Sequence, residues 1–186
     1  MPITTVDPRT ALLVIDLQEG VAGAKTIHPV RDIAARAGEL ADAFRRHGQP
    51  VVLVAVTGSA PGRTDNGDAS ARAFPDGFAD LLPELGWHHS DHTLAKNRWG
   101  AFHDTGLYEH LTALGVTQVV LAGLATSKGV ESTARAAYDH GFHVTLATDA
   151  MTDFTESAHQ HSLSSVFPDL GETGTVTEII TALTKS

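Results

Sequence analysis

The chain has 186 residues, 42% of them hydrophobic, with 13 Lys and Arg against 22 Asp and Glu and no Cys. That length predicts one domain, residues 1–186, with room for a sizeable core. The formal charge of −9 argues against a nucleic-acid or anionic-membrane surface, and the lack of Cys excludes disulfides, Cys–zinc sites and thiol catalysis.

Ala11–Ile15 is a continuous apolar run, as expected of a strand covered on both faces, and Asp16 ends it. From Val30 the apolar residues Ile33, Ala34, Ala37, Leu40, Ala41 and Phe44 fall at helical spacing, and Gly48 closes that helix. Val51–Val56 reads as a second buried strand. Residues 58–77, rich in Gly, Pro, Asp and Asn, read as a long loop, and loops of that length are often functional. Phe78–Leu85 reads as a short helix and Thr93–Ala95 as a short strand ending near Lys96. Leu107–Leu114 is a predicted helix, Val119–Ala122 a strand, Val130–His140 a helix and Val144–Ala147 a strand. Ser157–Val166 and Glu178–Leu183 read as helices, with an edge strand near Thr175–Thr177. No apolar run approaches the roughly 20 residues of a membrane helix. With no signal peptide, the expected location is cytoplasmic.

This alternation predicts a three-layer α/β/α sandwich around an open, mostly parallel sheet of five or six strands. In such sheets the site lies beyond the carboxyl ends of the strands. Asp16, Lys96 and Gly129 each stand at or just after a strand end, which puts them on one rim. The segment Val119–Arg135 passes from strand to helix through Gly123-Leu124-Ala125-Thr126-Ser127-Lys128-Gly129. Such a turn aims backbone N–H groups at one spot, suited to an oxyanion or a carboxylate. Where a reactive side chain would stand, there is Gly129.

The pieces Leu13–Gln18, Lys96–Phe102, Gly123–Arg135, Tyr138–Gly141 and Thr148–Met151 occur in this order over most of residues 10 to 160. Together they resemble the isochorismatase-like hydrolases, the superfamily that includes nicotinamidases and N-carbamoylsarcosine amidohydrolases. The resemblance implies an Asp–Lys–Cys triad in amidase members, with Asp16 and Lys96 as the first two and Gly129 at the Cys position. True isochorismatases also carry Gly there and cleave a vinyl ether with the Asp as acid and no covalent intermediate. Catalytic roles are therefore expected of Asp16, Lys96 and Gly129, and substrate contacts of Gln18, Arg63, Trp99, Phe102, Leu124, Ala125 and Thr126. The resemblance further implies a cis peptide between Leu124 and Ala125, and a homo-oligomer, either dimer or tetramer.

Neither a metal nor a cofactor is expected. Nicotinamidases bind zinc through an Asp and two His in the loop after the second strand, and here that loop, Thr57–Asn66, holds no His. His88, His89 and His92 read as a surface stretch, since adjacent residues of an extended segment face opposite sides. His103 follows the Lys motif and is expected to face the pocket. The substrate is expected to be small and anionic, attacked by water after protonation by Asp16. Two other readings stay open: a binding module that keeps the pocket without turnover, and an amidase that uses Ser127, Ser132 or Thr126.

Overall fold

The computed structural model describes residues 3–68 and 74–185, so part of the predicted 58–77 loop lies outside the described residues. The chain begins with β1 (Thr10–Ile15), a one-turn helix α1 (Glu19–Ala22), the long α2 (Val30–Arg46) and β2 (Val51–Val56). The loop after β2 carries a two-residue hairpin, β3 (Arg63–Thr64) and β4 (Gly67–Asp68). Then come β5 (His92–Lys96), α3 (Leu107–Ala113), β6 (Gln118–Leu124), α4 (Glu131–Asp139) and β7 (His143–Thr152). The chain closes with α5 (Glu156–His161), α6 (Phe167–Leu170), β8 (Glu172–Gly174) and α7 (Val176–Leu183).

The main sheet has six strands in the order β5-β2-β1-β6-β7-β8, and every pairing in it is parallel. All residues of β1 and β6 are buried, as a strand covered on both faces requires. Leu12 and Val14 of β1 pack with α2 and α7 on one side. Leu13 and Ile15 pack with α3, α4 and α6 on the other. The alternation of side chains along β1 thus divides the core into two layers.

The chain works outward from β1 through β2 to β5, then returns to β6 and proceeds outward the other way. β1 and β6 therefore flank the point where strand order reverses, the crevice where open α/β sheets place their ligands. Gly123 of β6 pairs with Ile15 of β1 and has φ +126°; a Cβ there would collide with the Ile15 carbonyl. Only glycine allows the two backbones this approach at this φ.

Several expectations shift at element ends, among them the strand expected over Val144–Ala147, which runs on to Thr152. The predicted helix over Phe78–Leu85 is only a 3-10 turn, Pro83–Leu85, closed by Gly86 in the left-handed region. The expected edge strand at Thr175–Thr177 lies earlier, at Glu172–Gly174. Thr175 instead caps α7, accepting from the Glu178 N–H while the Glu178 carboxylate accepts from the Thr175 N–H. The helix predicted to end at Val166 passes through a π-helical turn, Ser162–Val166, and runs on as α6.

Candidate active site

Asp16 leaves the end of β1 with φ +54°, a left-handed conformation that Asp tolerates better than most residues. Its N–H donates to the Val54 carbonyl at 2.9 Å, which fixes the turn against β2. Lys96 ends β5, paired with Val56 of β2. Two strand spacings, about 10 Å, separate β5 from β1. The four-carbon stem of Lys96 bridges that gap across the end of β2. Its Nζ donates to Asp16 Oδ2 at 2.7 Å and to the Arg98 carbonyl at 3.0 Å.

Both groups are buried, Asp16 at 8% exposure and Lys96 at 2%. Asp16 Oδ1 has no hydrogen-bond partner among the described residues. Burial pushes the Asp16 carboxyl up to a pKa of about 6, against the charge and hydrogen bond of Lys96, which pull it down. A carboxyl half-protonated near pH 6, with one oxygen held by an ammonium and the other without a partner among the described residues, is suited to giving up a proton.

After β6 the peptide between Leu124 and Ala125 is cis. A π-helical turn, Thr126–Val130, then leads into α4. The Val130 and Lys128 N–H groups both donate to the Ala125 carbonyl, at 3.1 and 3.0 Å. Gly129 sits inside this turn. A Cβ built on it lies 3.2 Å from Asp16 Oδ2 and 3.0 Å from both Ile15 Cγ2 and the Leu124 carbonyl. Any side chain at position 129 would therefore point at the Asp16 carboxylate in a crowded space.

These groups open onto a cavity of about 940 Å³, near the upper end for small-molecule sites. Asp16, Lys96, Gly129, Leu124 and Ala125 form its floor, with Arg63 and Trp99 also in its wall. The structure also brings in Asn97, Arg98, Lys128 and Phe154, which the sequence reading did not single out. Lys128 carried one available signal, a charged residue directly before the glycine of the turn. Phe154 carried none, since only the length of β7 delivers it to the rim.

Three of the expected substrate contacts lie outside the cavity wall. Gln18 is fully buried, and its amide serves the backbone: Nε2 donates to the Val56 and Phe78 carbonyls, both at 2.9 Å, while Oε1 accepts from the Val56 N–H at 2.7 Å. Thr126 is buried behind the turn, donating to the Thr152 carbonyl at 3.1 Å with His159 Nδ1 at 2.8 Å. Phe102 packs in the core against the Phe142 ring, with centroids 6.0 Å apart. Ser127 and Ser132 are likewise absent from the wall. His103 does not face the pocket as expected: it lies outside the wall, exposed beside Asp104.

The His-rich stretch is organised by Asp91, whose carboxylate receives Arg45 Nε at 3.0 Å and Nη2 at 2.8 Å and the His88 N–H at 2.9 Å. His92 stacks on His110 with centroids 3.9 Å apart. Among the described residues no group of three or more His, Cys, Asp or Glu converges as a metal site would need. None of the described helices is long and apolar enough to cross a membrane.

Comparison with known proteins agrees with this fold. The family model described as the isochorismatase domain matches residues 10–178. The chain is 39% identical to the uncharacterized isochorismatase family protein YecD of Escherichia coli O157:H7, over 94% of this chain and 96% of that protein. It is 30% identical to nicotinamidase 3 of Arabidopsis thaliana, over 84% of this chain and 79% of that one. A solved isochorismatase family protein from Burkholderia thailandensis superposes with a TM-score of 0.93 at 33% identity, covering 99% of both chains.

Proposed function

Because this chain belongs to the isochorismatase family and is a hydrolase of that family, we propose that it cleaves a small anionic molecule without a covalent intermediate, using Asp16 as the acid. The observation that carries this reading is the Asp16 carboxyl, buried, raised to a pKa of about 6 and unpartnered at Oδ1. Gly129 supports it, since the position facing Asp16 has no side chain to form an acyl intermediate. The charge of the wall supports the anionic substrate. In a chain of net charge −9, the described residues of the cavity wall include four cationic side chains and one carboxylate.

For a vinyl ether the steps balance with one water. The Asp16 proton passes to the terminal carbon of the double bond, and the ether carbon becomes an oxocarbenium ion. Water adds to that carbon and returns a proton to Asp16. The resulting hemiketal breaks its bond to the ether oxygen, releasing an alcohol and a ketone. Lys96 holds the Asp16 carboxylate during the interval in which it is ionised, and the buried setting strengthens that contact.

The test is turnover of isochorismate, nicotinamide and an N-carbamoyl amino acid by the wild type and by Asp16→Asn. The reading expects hydrolysis of the vinyl ether alone, lost in Asp16→Asn with the fold intact by circular dichroism. Amide hydrolysis, or undiminished turnover by Asp16→Asn, would overturn it.

A further inference from the structure

Lys96 is poorly placed to receive a substrate's negative charge. It is buried, and two of its three protons are already given to Asp16 and the Arg98 carbonyl. Lys128 is different. It precedes Gly129 on the same turn and lies in the cavity wall, and its ammonium makes no hydrogen bond or ion pair with any described residue. Its Nζ instead lies 5.0 Å from the centroid of Phe154 and 5.8 Å from that of Trp99. Both rings are exposed, at 44% and 62%, and both line the same cavity.

One buried carboxylate organises two of the three parts. Asp153, 1% exposed, accepts from the Ser127 N–H at 2.6 Å and from the Phe154 N–H at 2.7 Å. The backbone just before Lys128 and the backbone of Phe154 are therefore tied to one anchor. Ring faces attract a cation only weakly at exposed sites, without neutralising it. The ammonium is thus held in place with its charge still available.

We propose that Lys128, Trp99 and Phe154 form an outer subsite that selects a planar carboxylate, with Lys128 pairing the carboxylate and the two rings flanking the unsaturated body next to it. Lys128 is then a specificity-determining residue, separate from the acid–base pair on the cavity floor. The inference rests on the hydrolase reading for the identity of this cavity as the reaction site. Its test needs no turnover, so the two fail separately.

The probes are benzoate, neutral benzamide and cationic benzylammonium, titrated into a Trp87→Phe background in which Trp99 is the sole tryptophan. Trp87 is 59% exposed and outside the cavity wall, so its loss leaves the site unaltered. Quenching of Trp99 reports occupancy, and calorimetry on the protein with both tryptophans checks it. Benzoate is expected to bind about tenfold more tightly than benzamide at low salt, a preference that shrinks with added salt as exposed ion pairs do. Lys128→Met keeps the stem and is expected to erase the preference. Lys128→Gln should do the same, and Lys128→Glu should invert it toward benzylammonium. Arg63→Met should retain it. Failure of benzoate to bind, or a preference that survives both Lys128→Met and Lys128→Gln, would overturn the assignment.

Discussion

The protonation of Asp16 gives the sharpest test of whether this site works by acid catalysis. With a pKa of about 6, the carboxyl is protonated in about a tenth of molecules at pH 7. If the protonated form is the working acid, kcat/KM falls about tenfold per pH unit above 6, roughly fifty-fold between pH 6 and pH 8. Lys96→Met removes the ammonium 2.7 Å from Oδ2 and leaves the burial, so the falling limb should move up by about 1–3 pH units. Stability must follow the same proton. The folded-state pKa is raised from 3.8, so the folded protein binds the proton more tightly than the unfolded chain. The contribution of Asp16 is therefore most favourable below pH 4 and is lost as pH rises through about 6, a swing on the order of 3 kcal/mol. Urea unfolding of the wild type and Asp16→Asn at pH 4 and pH 7 reads that swing as a change in their stability difference. The rate profile is measured on whichever substrate the turnover screen identifies. Activity that rises through pH 6 would show Asp16 acting as an ionised base and would refute the acid mechanism.

Other perturbations have outcomes of comparable clarity. Gly123→Ala drives a Cβ into the Ile15 carbonyl at a φ of +126° and should destabilise the fold by at least about 3 kcal/mol, read by denaturant midpoint. Gln18→Ala removes three buried hydrogen bonds and should cost about 2–4 kcal/mol in the same assay; if binding alone suffered, the structural role given to Gln18 would fall. Gly129→Cys crowds Ile15 and Leu124 and should cost about 1–3 kcal/mol. Its thiol, in the turn leading into α4 and facing Asp16, a base held by Lys96, should react with an alkylator faster than an unstructured Cys does. An equal rate in the folded variant would contradict the electrostatics assigned to this turn.

The sheet and both core layers were legible because β1 and β6 are unbroken apolar runs and α2 repeats its apolar residues at helical spacing. The candidate site floor was legible for a related reason: Asp16 and Lys96 are polar residues at the ends of β1 and β5, and Gly129 is a small residue in the turn that follows β6. What failed to show was direction and reach. Gln18 and Thr126 stand beside site residues in sequence, yet both turn their polar atoms to backbone groups behind the site. Phe102 lies six residues after Lys96, but the chain has by then turned into the core. At Thr175 the β-branched Thr-Val-Thr resembles a strand locally, whereas the Glu three residues on makes it a helix cap. The role proposed for Lys128 was only hinted at by its place before Gly129, because it depends on Trp99 and Phe154, which only the assembled sheet brings near it.

The position of Lys96 on β5 has a consequence for how activity is lost. Among the described residues β5 is an outermost strand, paired on one side only, and such strands exchange their amide hydrogens through local opening well below the global unfolding free energy. Asp16, by contrast, follows a strand enclosed between two neighbours. Detachment of five residues at the margin is enough to withdraw the ammonium while the rest of the sheet persists. Inactivation by mild denaturant or warming would then run ahead of the main unfolding transition, in step with deuterium uptake at residues 92–96, and would reverse on cooling as that margin re-zips.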